Sequence, residues 1–166
     1  FSAMAQFTAN TAANTTVRDT SGFEEAVPIV ALAGDVNTAI TYFNGTSSNP
    51  YDFSLQTLDP WGSLGFPYGF TISNYPQNTA LFTYDMKGTP QGDVVAAFQD
   101  ERTGAGSLNV VAYRVGVNGA YRWGAAGVQL IDAAATGGGI APNVGVLPSN
   151  DAVVAWIADG TPKGWV

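Results

Sequence analysis

DVVAAFQDERTGAGSLNVVAYRVGVNGAYRWGAAGVQL, residues 93–130, decides the fold. It opens on a continuous apolar run, Val94 to Gln99, and turns through Asp100-Glu101-Arg102. A mixed run follows, Leu108 to Val115, then an Asn118-Gly119 turn, a Trp123-Gly124 step and a last short run, Val128 to Ile131. Short β-branched and aromatic runs bounded by Gly, Asn and Asp clusters read as strands. No apolar spacing of 3.6 residues interrupts them, so the chain is expected to be all-β with helix nearly absent.

Working outward, the same unit recurs. VPIVALAGDVNTAITYFNG from Val27, LFTYDMKGTPQGDVVAAFQDE from Leu81 and APNVGVLPSNDAVVAWIADG from Ala141 are each an apolar strand, a polar turn and a second strand ending in an aromatic. The closing aromatics are Tyr42, Phe98 and Trp156, spaced by 56 and 58 residues. DFSLQTLDPWGSLGF from Asp52 lies over NVVAYRVGVNGAYRW from Asn109 at an offset of 57, which sets Gly62 on Gly119 and Phe66 on Trp123. Self-similarity at a fixed period marks a repeat architecture.

A period near 57 with about four short strands fits a propeller blade, giving about two and a half blades of a β-propeller-like fold; a two-sheet β-sandwich is the alternative. In the second unit, strands are expected near Thr79–Tyr84, Val94–Gln99, Leu108–Val115 and Val128–Ile131. DVVAAF and DAVVAW, continuously apolar, read as inner strands covered on both faces, and FSLQTL and VVAYRV, with polar residues mixed in, read as outer strands. Tyr42, Phe98 and Trp156 are expected to be buried at equivalent places in successive sheets. The resulting organisation is a signal-peptide remnant at 1–5, an extended lead-in at 6–26, a first repeat at 27–80, a second at 81–140 and a partial third at 141–166, with only Trp165-Val166 beginning its third strand.

VVAAFQDERTGAGSLNVVAYRVGVNGAYRWGAAGVQL resembles the repeat of secreted, surface-associated propeller-like proteins of bacteria that export through the type IX system. Their blades carry a strand ending in Trp, an Asp-x-Arg turn, a strand of the kind iyaQrv, and then dGxxxWGxxGv. Phe98 takes the Trp place, Asp100-Glu101-Arg102 the turn, Val110 to Val115 the strand, and Asn118-Gly119 with Trp123-Gly124 the last part. The first repeat departs from the pattern, with Asn44-Gly45 at the charged turn and Phe66-Pro67 at Trp-Gly. The resemblance implies an exported, cell-surface protein.

Composition narrows the chemistry. Six basic residues stand against 13 acidic ones, a net charge of −7, which argues against a phosphate-backbone partner, since nucleic acid needs a Lys/Arg surface. No apolar run reaches the roughly 20 residues of a membrane-spanning helix. With neither His nor Cys, Ser-His-Asp and Cys-His catalysis and an HExxH zinc site cannot be built from this chain. TGGGI from Thr136 reads as a turn rather than a phosphate loop, because no strand-to-helix context surrounds it. Four arginines are present, and three of them, Arg102, Arg114 and Arg122, fall in one repeat. An anion site assembled from separate blades is therefore not expected.

Ala3-Met4-Ala5 before Gln6 has the small residues that a signal peptidase accepts, in keeping with a secreted or cell-surface location. The candidate ligand contacts are Asp100, Glu101 and Arg102, with calcium as the candidate cofactor; the loop lacks the Asp-x-Asp-x-Asp-Gly pattern of a dedicated calcium site. Tyr51, Trp61, Tyr68 and Tyr75 are candidates for stacking on sugar rings. Three functions follow as expectations: a non-catalytic structural or adhesive repeat module of an exported surface protein, a carbohydrate-binding or glycosidase-type propeller fragment, or a self-assembling extracellular subunit whose lead-in adds a strand to a neighbour. The expected partners are the remainder of a longer chain, a partner protein or a second copy, with a glycan as the small-ligand alternative.

Overall fold

The computed structural model describes residues 16–18, 24–45, 51–77, 83–158 and 161–166. Three antiparallel sheets follow one another along the chain. The first joins β1 (Glu24–Ala33), β2 (Asn37–Gly45), β3 (Asp52–Leu58) and β4 (Phe70–Ser73) in sequential order. The second joins β5 (Asp85–Gly88), β6 (Asp93–Asp100), β7 (Asn109–Gly116) and β8 (Val128–Gln129) in the same way. A four-residue helical turn, α1 (Ala133–Thr136), capped by the Asp132 carboxylate accepting from the Ala134 N–H, leads to the third sheet. That sheet contains β9 (Gly139–Val146), β10 (Ala152–Ala158) and β11 (Thr161–Trp165), with β10 in the middle. The fold is all-β, and none of the sheets closes on itself.

The alternation of side chains along each strand decides how the sheets stack. On β6, Val94, Ala96 and Phe98 point to the first sheet and join Phe43, Phe53, Leu55 and Ile72 in one core. Val95 and Ala97 point the other way, into a second core with Val144, Val154 and Trp156 of the third sheet. The second sheet is thus the filling between two others, and β6 is buried along its whole length. The leading strands β1, β5 and β9 lie side by side. Backbone-to-backbone and side-chain bonds stitch them: the Gly34 N–H donates to the Thr89 carbonyl at 2.8 Å, and the Val144 N–H to Asp85 Oδ2 at 2.9 Å.

The period seen in the sequence reappears as hydrogen bonds. Gly62 donates to the Asp59 carbonyl and Gly119 to that of Gly116; Gly65 donates to Thr57 and Arg122 to Arg114, each pair displaced by 57 residues. The bridges Leu58 to Leu64 and Val115 to Tyr121 are displaced by the same amount. Gly62 and Gly119 hold φ of 81° and 83°, which a residue with a Cβ adopts only under strain. The leading strands repeat an irregularity as well. Val27 and Ala141, 114 residues apart, have φ of 53° and 52°, and each precedes a proline. In both sheets the ladder skips two residues there, opposite Tyr42 in one and Trp156 in the other.

Tyr42, Phe98 and Trp156 are all buried, on the second strand of their respective sheets. Phe98 enters the core against the first sheet, Trp156 the core against the second, and Tyr42 lies on the face of the first sheet that points away from the other two. All three rings therefore face backward along the stack. Phe66 and Trp123, the second matched pair, both face forward, one toward the second sheet and one toward the third.

Several sequence expectations are corrected. β3 and β7, read as outer strands from their polar residues, are the third of four strands and are almost wholly buried. Their polar groups are tolerated because they are bonded: Gln56 holds both the N–H and the carbonyl of Phe66, and Arg114 binds Asp93 at 2.8 Å. DAVVAW, expected to be covered on both faces, is covered on one only, since among the described residues no further sheet meets the forward side chains of β10, where Ala155 and Ile157 are exposed. Its third-sheet neighbour β11 spans Thr161–Trp165 rather than starting at Trp165. The strand expected near Thr79–Tyr84 falls partly on 78–82, outside the described residues. β5 begins only at Asp85, because Tyr84 folds onto the first sheet between Phe43 and Phe53, with ring centroids 5.3 and 5.0 Å away.

Residues 1–5 and most of the lead-in lie outside the described residues. Val17 crosses the backward face of the first sheet, packing on Ile40, Tyr42 and Leu58, and its carbonyl accepts from Gln56. Among the described residues no helix is long and apolar enough to cross a membrane.

Candidate functional site

Asp100, Glu101 and Arg102 close β6 and open the turn to β7. Asp100 is fully buried, and an unpaired carboxylate there would be costly. Arg102 supplies the partner. Its Nε lies 2.9 Å from Oδ1 and its Nη2 2.8 Å from Oδ2, a two-pronged pair that fixes both groups. Two further guanidinium hydrogens go to the Tyr113 hydroxyl at 3.1 Å and the Ala126 carbonyl at 2.9 Å, while the Tyr75 ring lies under the guanidinium at 4.5 Å. Burial works against the charge on Arg102, but Asp100 and the Tyr113 hydroxyl outweigh it, and the pKa lies above its ordinary value. The Glu101 N–H donates to the Pro76 carbonyl at 2.9 Å, tying the turn to the first sheet. The three residues thus form one structural joint, in which Asp100 offers both oxygens to Arg102.

The other two arginines of this repeat converge on one carboxylate. Asp93, at the start of β6, takes Arg114 Nε on Oδ2 at 2.8 Å and Arg122 Nε on Oδ1 at 3.0 Å. Arg114 continues to the Asn150 carbonyl at 2.9 Å, linking the second sheet to the third. Among the described residues there is no group of three acidic side chains arranged to hold a metal ion.

Beside the Asp100–Arg102 joint a cleft of about 480 Å³ opens between the first two sheets. Asp52 at the head of β3, Ser73 and Asn74 at the end of β4, and the rings of Tyr75, Tyr113 and Tyr121 line it. Tyr121 is tied to β4, its hydroxyl lying 2.9 Å from the Ile72 carbonyl and 3.1 Å from that of Thr71. Burial raises the pKa of Tyr121, with the neighbouring Tyr113 adding to it. Burial likewise raises that of the Asp52 carboxyl. Aromatic faces beside hydrogen-bonding groups form a surface suited to a neutral, hydroxyl-rich ligand.

Sequence reasoning singled out Tyr75 and missed Asp52, Tyr113 and Tyr121. The signal was in the repeat: Asp52 aligns with Asn109, which in the second sheet is a fully buried hub. Asn109 Oδ1 accepts from Thr103, Gln129 and the Ala133 N–H, and its Nδ2 donates to Asp100 and Ser107. A carboxylate replaces that amide in the first sheet. Of the other aromatics proposed for stacking, Trp61 and Tyr68 are exposed on the connection from β3 to β4, and the Tyr51 hydroxyl donates to Glu24 Oε2 at 2.5 Å. In comparisons with family models, with curated proteins and with solved structures, nothing matches this chain.

Proposed function

We propose that the chain is a non-catalytic structural or adhesive repeat module of an exported cell-surface protein, built from propeller-type blades. The observation that carries the reading is the common register of the three sheets. Each places its ring backward at the same point of the second strand, and the three leading strands lie together. A unit that buries its apolar face only against its neighbours is the basis of repeat scaffolds. The charged side chains of the second sheet support the same reading, because Asp93, Asp100 and their three arginines are committed to joining strands and sheets. Antibody labelling of intact cells that make the protein tests the placement. Signal on unpermeabilised cells is expected, and signal only after lysis overturns it.

A second reading, carbohydrate binding, rests on the cleft lined by Asp52, Tyr75, Tyr113 and Tyr121. Neutral sugars bind by stacking and hydroxyl bonding. A glycan array separates the two: binding that Tyr75→Ala abolishes favours the cleft, and silence across the array favours the scaffold.

A further inference from the structure

The first two sheets carry one acid and one amide at the same rung of their ladders, in exchanged places. In the second sheet Asp100 of β6 stands opposite Asn109 of β7; in the first, Asn44 of β2 stands opposite Asp52 of β3. The exchange alters what each side chain meets. Asp100 is neutralised by Arg102, the next residue but one. Asn109 is saturated by five side-chain bonds, one of them from the Ala133 N–H at the start of α1.

The first sheet supplies neither. The run from Asn44 to Tyr51 contains no lysine or arginine, so the carboxylate has moved to the other strand without its counter-ion. Asp52 has no ion pair and no side-chain hydrogen bond among the described residues. Asn44 opposite it leaves a buried Oδ1 unbonded. Asp52 instead lines the cleft of about 480 Å³, and among the described residues it is the one charged side chain in that lining. Burial raises its pKa with no cation to offset the effect. The cleft thus holds a half-desolvated negative charge that the fold leaves uncompensated.

The rings beside this charge take cations as well as sugars. Arg102 already lies on Tyr75, 4.5 Å from the ring centroid. Because Asp100 neutralises that arginine, the joint behind the cleft carries no net charge to oppose a second cation. A neutral sugar satisfies the rings and leaves the carboxylate unmatched; a sugar with an ammonium group matches both. We propose that the cleft selects an amine-bearing sugar, its ammonium paired with Asp52 and its ring against the tyrosine lining. This selectivity rests on the carbohydrate reading of the cleft and adds a positive charge to the ligand.

Cellobiose, chitobiose and fully deacetylated chitobiose share one backbone and present a hydroxyl, an acetamide and an ammonium at the same carbon. Each is titrated into the isotope-labelled protein slightly below neutral pH, where the amine is protonated, with the amide shifts of Ser73, Asn74 and Ala125 reporting on the cleft. The deacetylated sugar is expected to bind about tenfold more tightly than cellobiose, the gain from one charge-assisted bond. Asp52→Asn should abolish that preference and leave cellobiose unchanged. Asn109 shows that this rung accepts the amide, and near-ultraviolet circular dichroism verifies the fold. Should the variant fail to fold, sodium chloride at about 1 M, which screens charges beyond about 3 Å, replaces it: the preference of the wild type should shrink, and a preference that salt leaves intact overturns the pairing. Equal affinity for the three sugars overturns the selectivity and leaves the carbohydrate reading standing, as does binding of the two neutral sugars alone. Silence of all three counts against both. A preference that survives Asp52→Asn seats the ammonium elsewhere and overturns the pairing, and methylammonium bound as tightly as the deacetylated sugar overturns the sugar as occupant.

Discussion

Phe98 carries more of the fold than its place at the end of an apolar run suggests. Its ring is buried, tilted against Phe53 at 4.2 Å, edge-on to Phe43 at 6.4 Å and stacked on Tyr113 at 5.6 Å. Phe98→Ala should lower stability by about 3–5 kcal/mol, the range for emptying a closed aromatic site, as measured by urea titration. Trp156→Ala should cost less, because its ring is not fully enclosed. That these rings would be buried was legible in their spacing. What Tyr84 does was not, since a tyrosine before a strand gives no sign of reaching another sheet. Its hydroxyl lies 2.7 Å from the Val27 carbonyl and 2.8 Å from that of Thr41, donating to one, and it accepts from Thr41 Oγ1 at 3.2 Å. Burial pushes its pKa up to about 12. The folded state therefore holds the phenolic proton more tightly than the unfolded chain, whose tyrosines titrate near ~10. The stability that Tyr84 contributes is present below pH ~10 and is lost as pH rises toward 12. Urea midpoints measured from pH 8 to 11 should fall with a steeper slope for wild type than for Tyr84→Phe.

Strands were easier to read than their places in a sheet. Val94–Gln99 and Leu108–Val115 match β6 and β7 within a residue or two, because alternation and turn residues are local signals. Whether a strand is central depends on neighbours hundreds of atoms away in the chain, and a buried Gln56 or Arg114 looks like surface until its partner is known. The candidate site was legible to the same degree. The Asp100-Glu101-Arg102 turn was evident, but the cleft beside it is assembled from β3, β4 and β7, which no single stretch displays. Close packing of leading strands is equally invisible in sequence. Gly88 on β5 lies so near β1 that a Cβ there would meet the Leu32 carbonyl oxygen at 1.6 Å. Backbone on both sides leaves no flexible group to yield. Gly88→Ala should thus destabilise by about 3 kcal/mol, the upper part of the usual overpacking range, whereas Gly145→Ala, whose Cβ would meet nothing nearer than Val153 at 4.0 Å, should unfold close to wild type in the same thermal melt.

At the scale of the molecule, a stack of three is unequal in protection. The second sheet has a large core on each side, whereas the first has one large core and only the small Ile40, Tyr42 and Leu58 cluster behind it, and the third has one. Amide exchange should be slowest in β6 and β7 and fastest in β11, which pairs along one edge only, because local opening follows the number of buried contacts. Mass spectrometry of exchanged peptides can rank them, and β11 slower than β6 would contradict this stacking. The order of the sheets was legible from the 57-residue period; their unequal cover was not, since it depends on what meets each face. The paired bulges at Val27-Pro28 and Ala141-Pro142 have a further consequence. β1 and β9 are edge strands, and each places a residue without an N–H beside a kink in its hydrogen-bonding row. Such an edge is a poor template for a foreign strand. Concentrated solutions should accordingly remain dark to thioflavin T through prolonged incubation, and replacing Pro28 and Pro142 together by Val should shorten the lag before fibrils form.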